Sequence, residues 1–434
     1  MEIQSKKRSA EDFGESREKE GKEKDGEKIE KLERQGRDIG RKRRREMIQK
    51  VEKHLQEKLI PFWEGLADWQ QGGFYGYLGY DLTLNKQAEK GVILNSRILW
   101  FFSNAFLTLK QEKLLLYAEH AFLFLRDYCF DKQYGGVYWS LTYDGKVKDE
   151  TKHTYNQAFA VYALVSYYAA SKKKEALELA YTLYELIERQ CRDEGGYKEA
   201  LDRRFVPVSN EKLSENGVMA TRTMNTLLHV FEAYTELYRV GHRPEVADKL
   251  RRILDLFADK IYNPKKKRQE VFFDGEWHSL VDLHSYGHDI ETSWLIDRGC
   301  QVLGDEQYSE KMKPIILALA EEIYKKAYRD HSVMNECENG VDRTDRIWWV
   351  QAEAVVGFLN AWERWPERKE FLEAAKDIWE YICRVIVDPR EGSEWYWRVD
   401  EIGKPVEGEP IVEPWKCPYH NGRMCMEVLW RMKK

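Results

Sequence analysis

The sequence predicts an all-α fold, an (α/α)6 barrel of six helical hairpins with short β-hairpins in the connecting loops. Three observations predict it. Helical periodicity recurs in pairs from Met47 to the end of the chain. Between the pairs lie short segments with strand-like alternation and glycine turns: Gly72-Gly73-Phe74-Tyr75, Gly135-Gly136-Val137-Tyr138 and Gly195-Gly196-Tyr197, with Trp395-Tyr396-Trp397 as a weaker late copy. The second glycines sit at 73, 136 and 196, so the unit repeats every 60 to 63 residues. Such a unit buries its apolar face only against its neighbours, which suggests a closed or stacked helical array. An open α-solenoid scaffold shares this periodicity and is the competing architecture.

Taken in order, helices are predicted over 47–64, 96–110, 113–129, 154–170, 174–190, 218–240, 244–260, 287–303, 306–327, 347–364, 368–386 and 420–432. Twelve helices in six hairpins close naturally into a double ring. Those beginning near 96, 154, 218, 287, 347 and 420 carry unusual polar or aromatic residues in their first turns and are read as the inner ring. Their N-termini then meet at one mouth, walled by the long connections such as 64–95 and 387–419. Residues 47–434 form one such domain. Residues 1–46 hold 16 Lys/Arg and 13 Asp/Glu with Phe13 as the only aromatic, too little apolar surface to offset ordering entropy. They read as a charged, disordered extension, its Arg41–Arg45 run a solvated patch.

Composition narrows the function. The net charge of -5 argues against a nucleic-acid binder. No run of 18 apolar residues and no signal-peptide core is seen, so a soluble cytoplasmic protein away from membranes is expected, and as a monomer. Of seven cysteines, Cys129, Cys191, Cys300 and Cys383 fall in helical patterns and read as reduced core thiols. The 15 Trp and 25 Tyr lean toward carbohydrate, whose binding clefts use flat aromatic faces.

The chemistry-bearing residues cluster at the proposed mouth. His288 and Glu291 are i, i+3 at the start of a helix, sharing a face. The helix dipole favours the neutral imidazole that a general base requires, and the carboxylate opposes that shift and could fix the tautomer. His420 enters the last helix through Pro418, with Trp415 five residues earlier as a stacking face. Asn225 and His229 are i, i+4 and would point into the ring. Arg97 is surrounded by apolar residues, so it needs an anionic partner or an oxyanion that forms during reaction. Trp348 and Trp349 offer a stacking platform with Glu353 one turn further on. His153, Tyr155, Asn156 and Gln157 suit either sugar hydroxyls or a helix cap. No phosphate loop, HExxH site or GxSxG elbow occurs, and His284 with His288 lacks a third ligand, so neither metal nor cofactor is expected.

Four segments together, LNSRILWFFS around Arg97, GHDIETSWL around His288, WWVQAEAVVGF around Trp349 and PWKCPYHNGRMCME around His420, resemble the N-acylglucosamine 2-epimerase superfamily, most closely its cellobiose 2-epimerase branch. The resemblance spans about 47–434. It implies a single (α/α)6 barrel that inverts C2 of the reducing-end glucose of β-1,4 disaccharides such as cellobiose and lactose, without metal or nucleotide. His288 and His420 resemble the family's two bases. By the same similarity Arg97 and His229 hold the O1/O2 side, Glu291 orients His288, Asn225 and Tyr155 bind hydroxyls, and Trp349 and Trp415 stack on the sugars, with Trp348 and Glu353 beside them. Three other readings compete: an aldose–ketose isomerase, a glycoside hydrolase using Glu291 and Glu353, and a non-catalytic scaffold.

Overall fold

The computed structural model describes residues 44–214 and 217–433; the charged extension, apart from its last three residues, lies outside them. Among the described residues there are twelve helices. Outer helix α1 runs over 44–64 and contains the π turn Leu55–Leu59. It is followed by inner α2 (Val92–Leu109), outer α3 (Glu112–Phe124, extended by the π turn Leu125–Cys129), inner α4 (Thr154–Ser171) and outer α5 (Lys174–Leu186, extended by Ile187–Cys191). Inner α6 (Met224–Gly241), outer α7 (Pro244–Leu256, extended by Phe257–Ile261), inner α8 (Tyr286–Leu303) and outer α9 (Glu306–Lys326) come next. Inner α10 (Trp348–Arg364), outer α11 (Lys369–Tyr381, extended by Ile382–Ile386) and inner α12 (Tyr419–Met432) complete the set.

The inner helices touch in the order α2, α4, α6, α8, α10, α12 and back to α2, so the ring closes and the open solenoid is excluded. Position explains sequence. An inner helix meets protein on every side, and α2 is apolar almost all round; an outer helix is amphipathic. Helix α2 has the length and apolar character to cross a membrane, contrary to the sequence expectation, yet 72% of it is buried in the ring. Of the four helical cysteines Cys129, Cys191 and Cys300 are core thiols, whereas Cys383 lies on the exposed side of α11.

Two differences from the sequence reading have physical causes. Helix α1 is already formed at residue 44, ahead of the helix start predicted at 47, and the Arg44 guanidinium caps the Met432 carbonyl at the end of α12. Helix α6 starts at Met224, not 218, because Arg222 and Thr223 pair with Phe272 and Phe273 as strands before the helix begins.

The connections differ sharply in length at the two ends. Inner-to-outer turns are tight; four close on a left-handed residue at the C-cap, Lys110, Lys172, His242 and Gly304. The outer-to-inner connections are long and form a collar. Each lead-in to an inner helix pairs with the hairpin of the next unit: Lys90 with Leu141, Lys152 with Leu201, Arg222 with Phe273, His284 with Cys337 and Arg346 with Val399. The bridge between Leu78 and Val412 closes the circle.

A repeated set of side chains fastens this collar. The fourth residue of α2, α4, α8 and α10 holds the backbone of its hairpin. Asn95 accepts from Phe74 N, Gln157 brackets both backbone groups of Val137, Asp289 accepts from Gln269 N, and Gln351 brackets Val333. A buried cation lies ahead of the inner helices. Lys90 reaches Asp68 at 2.7 Å, Lys152 reaches Asp131 at 3.2 Å, Arg222 reaches Asp193 at 2.9 Å and Lys416 pairs with Glu394. The mouth is therefore built on hydrogen-bonded backbone, a rigid frame for placing side chains.

Candidate active site

Every inner helix delivers residues from its first turns to one cleft of about 560 Å³ at the collar end. Arg97, Tyr155, Asn225, His229, His288, Glu291, Trp348, Trp349, Trp415 and His420 all line it. Ten of the eleven sequence-predicted site residues are thus brought together. Glu353 is the exception, fully buried behind His420, and it is reassigned from substrate contact to support.

Two histidines of the cleft pack against one indole. The ring of Trp349, from α10, lies 4.8 Å from His288 of α8 and 5.4 Å from His420 of α12, centroid to centroid. Gly287 permits this arrangement, since a Cβ there would collide with the Trp349 ring. In each histidine Nδ1 is occupied, which leaves Nε2 for the cleft. His420 Nδ1 lies 2.7 Å from Glu353 Oε1, and His288 Nδ1 lies 2.7 Å from the Ser285 hydroxyl. The expectation that Glu291 orients His288 is corrected here: Ser285 does so. Glu291 instead pairs with Arg423 and lies 4.0 Å from His420 Nδ1. Burial pushes His288 down to about 3, and burial with the positive Arg423 and Arg97 holds His420 well below the usual imidazole range. Both imidazoles are therefore neutral at rest.

Beneath His420 lies a charge cluster that the sequence reading missed. The Arg423 guanidinium, 1% exposed, donates to Glu232 at 2.5 Å, to Glu291 and to Glu353 at 2.6 Å. Three carboxylates around one arginine leave an excess of negative charge. Burial raises the Glu291 and Glu353 carboxyls, with repulsion from Glu353 acting on Glu291 and from Glu232 on Glu353, so this pair is able to hold a proton. Burial also opposes ionisation of Glu232, but Arg423 and the hydrogen bonds from His229 and Tyr419 outweigh it and bring Glu232 down to about 2. Arg423 sits three residues after His420, on the same helical face; that spacing was the available signal. The donor atoms of Glu291, Glu353 and His420 lie within 4.8 Å of one another, close enough for a cation. Their oxygens are already engaged, since Arg423 donates to both carboxylates and Trp294 donates to the second oxygen of Glu353, so this donor set does not suit a metal.

The opposite side of the cleft is built by Arg97, Tyr155 and His229. Arg97 donates to the Tyr155 hydroxyl at 2.8 Å, and its guanidinium carbon lies 4.2 Å and 4.8 Å from the Phe159 and Tyr419 ring centroids. Among the described residues no carboxylate is within ion-pairing distance of it. The anionic partner required by the sequence argument is therefore one that arrives or forms in the cleft. His229 gives Nδ1 to Glu232 at 2.9 Å and, with burial holding its pKa down, presents Nε2 to the same space. Asn225 Oδ1 has no partner among the described residues, which suits a substrate hydroxyl. Trp415 stands 5.8 Å from the Tyr155 ring, and Trp348 packs tilted against Trp397 at 4.7 Å. Lys212, Asn335, Arg343 and Trp397 also line the cleft; of these only Trp397 lies in a segment the sequence singled out, and there as part of a hairpin.

The four polar residues near 153 separate by role. Only Tyr155 reaches the cleft. His153 caps α4 and bonds Asn210, while Asn156 and Gln157 hold hairpin backbone. The hydrolase reading fails on geometry, since its two carboxylates must flank a glycosidic bond. Glu291 and Glu353 share one Arg423 nitrogen on the same side of the cleft.

Comparison with known proteins identifies the family. The family model described as N-acylglucosamine 2-epimerase matches residues 73–421. A cellobiose 2-epimerase of Eubacterium cellulosolvens is 52% identical over 396 residues, covering 87% of this chain and 97% of that protein. The crystal structure of a sugar epimerase from a ruminal bacterium superposes with a TM-score of 0.88 at 51% identity, covering 89% of this chain and 99% of that one. Cellobiose 2-epimerase from Bacillus thermoamylovorans B4167 superposes with a TM-score of 0.86 at 45% identity, covering 89% and 100%. The chain belongs to the N-acylglucosamine 2-epimerase family.

Proposed function

We propose that the protein is a cellobiose 2-epimerase, inverting C2 of the reducing-end glucose in β-1,4-linked disaccharides. Cellobiose becomes glucosyl-mannose and lactose becomes epilactose. The observation that carries this reading is that His288 and His420 both meet Trp349 at one cleft, each with Nδ1 occupied.

The C2 proton is acidic only when C1 is an aldehyde, so the pyranose opens before proton transfer. One neutral histidine then takes the C2 proton and becomes the imidazolium, leaving a planar cis-enediolate. The other, having taken up a proton at Nε2, delivers it to the opposite face and returns to neutral, and the first gives its proton back to solvent. One C–H bond breaks and one forms, the ring recloses, and the product is an isomer. General acid–base residues of this kind contribute roughly 10²–10⁴-fold each. The charge that develops on O1 and O2 is met by Arg97 and His229 in a site poor in water. Asn225 and Tyr155 bind hydroxyls, and Trp349 and Trp415 supply flat faces for the sugar rings. Glu353 and Ser285 hold the histidines, and the Glu291–Glu353 pair above Arg423 stores charge and a proton beneath His420.

Incubation of the protein with cellobiose tests the reading, with products separated chromatographically. Glucosyl-mannose is the expected product. Free glucose would return the case to hydrolysis, and a ketose disaccharide formed in its place would show proton return to C1 and overturn the assignment.

A further inference from the structure

Proton transfer at C2 needs an open sugar chain, and the cleft holds one histidine whose tautomer its hydrogen bonds fix. His229 lines the cleft, and its Nδ1 lies 2.9 Å from Glu232 Oε2. The Glu232 oxygens also receive the Arg423 guanidinium at 2.5 Å and the Tyr419 hydroxyl at 2.5 Å and 2.6 Å. A carboxylate held by a guanidinium and a phenol accepts hydrogen bonds and has no proton to give. The proton between His229 and Glu232 therefore sits on Nδ1.

Burial keeps the His229 ring neutral, and a neutral imidazole protonated at Nδ1 carries a lone pair at Nε2. That nitrogen has no hydrogen-bond partner among the described residues, and it is not one of the polar atoms sealed inside the protein. The other two cleft histidines are not fixed in this way. The Ser285 hydroxyl can donate to His288 Nδ1 or accept from it, and burial favours the protonated form of the Glu353 carboxyl beside His420. His229 is thus an acceptor set beside a cation. Its ring and the Arg97 guanidinium both pack on Phe159, at 4.8 Å and 4.2 Å from the ring centroid. A base next to a permanent positive charge suits a hydroxyl whose oxygen gains negative charge as its proton leaves. In a reducing sugar the most acidic hydroxyl is the anomeric one.

We propose that His229 is the base that opens the pyranose ring, and that the protein interconverts sugar anomers as an activity separate from its C2 chemistry. The assignment rests on the epimerase reading only for placing C1 beside Arg97 and His229. His229 Nε2 takes the O1 proton, the O1–H electron pair closes the C1=O1 bond, and the C1–O5 bond breaks. The electron pair of that bond stays on O5, which takes a proton from solvent. His229 ends the step as an imidazolium paired with Glu232, its new Nε2–H facing O1. Reclosure on either face of C1 reverses each transfer and yields either anomer.

Freshly dissolved β-cellobiose followed by proton NMR tests this, because its anomers are resolved from those of glucosyl-mannose. The wild type should bring the cellobiose anomers to equilibrium faster than buffer alone. His229→Asn keeps a donor for Glu232 at the Nδ1 position but has no base, and should lose about 10²-fold of that acceleration. Anomers that equilibrate no faster than in buffer would overturn the proposal, and the epimerase reading would still stand if glucosyl-mannose formed. Anomerisation without any glucosyl-mannose would support the opening base and sink the epimerase reading instead. Undiminished acceleration in His229→Asn would also overturn the assignment. Should that variant not fold, Glu232→Gln, which lets the ring proton move to Nε2, is expected to slow anomerisation, and an unchanged rate there would overturn the assignment equally.

Discussion

His288 and His420 are the same residue in electrically different settings. One has a neutral hydroxyl behind it and the other a buried carboxylate backed by Arg423. We expect His288→Ala and His420→Ala each to lower epimerisation by about 10²-fold or more while the far-ultraviolet circular dichroism stays that of the wild type. Substantial turnover in either variant would remove the two-base scheme. Ser285→Ala should act more mildly, lowering kcat with little change in KM, because it frees the His288 ring without removing its nitrogen. At this scale the sequence was informative about groups that touch the cleft and silent about what lies behind them. His288, His420 and Arg97 sit in distinctive local segments. The partners of Arg423 lie 70 to 191 residues away, so no local pattern ties them together.

Helices and their connections tell a parallel story. The periodicity located all twelve helices because an inner or outer position imposes an apolar pattern along the whole element. The glycine pairs were visible because positive φ at Gly72, Gly73, Gly135 and Gly136 demands that residue type. The buried cations ahead of the inner helices were not visible, since Lys and Arg fill equivalent places and only their positions repeat. They matter energetically. Lys152 and Asp131 are both fully buried; Asp131 keeps Arg203 at 2.7 Å as a second partner, whereas removing Asp131 leaves the buried lysine without a carboxylate partner among the described residues. Asp131→Asn should therefore destabilise the protein by about 3–5 kcal/mol in chemical denaturation. A loss within error of zero would mean that the collar does not rely on this pair.

The molecule as a whole is a closed ring with a closed collar, and closure makes one buried carboxyl a reporter of pH. Glu199 accepts hydrogen bonds from Thr223 and Thr226, tying the third hairpin to the start of α6, and burial pushes it up to about 7. Its folded pKa lies above the unfolded value of about 4.3. The stability it contributes is thus fully present below about pH 4.3 and is lost as pH rises through about 7. The Tm of Glu199→Gln relative to wild type should accordingly rise between about pH 5 and pH 8. A constant difference across that range would show that Glu199 is ionised throughout.

The central claim is that this ring exists to move a proton at C2. Proton NMR of cellobiose incubated with EDTA-treated protein in D2O tests it most directly. Glucosyl-mannose with deuterium at C2 and none elsewhere on the carbon skeleton is the expected product. Glucosyl-mannose formed with its original C2 proton, fully retained at every stage of the reaction, would contradict exchange through two separate histidines. Cellobiose recovered unchanged and undeuterated would contradict the function itself.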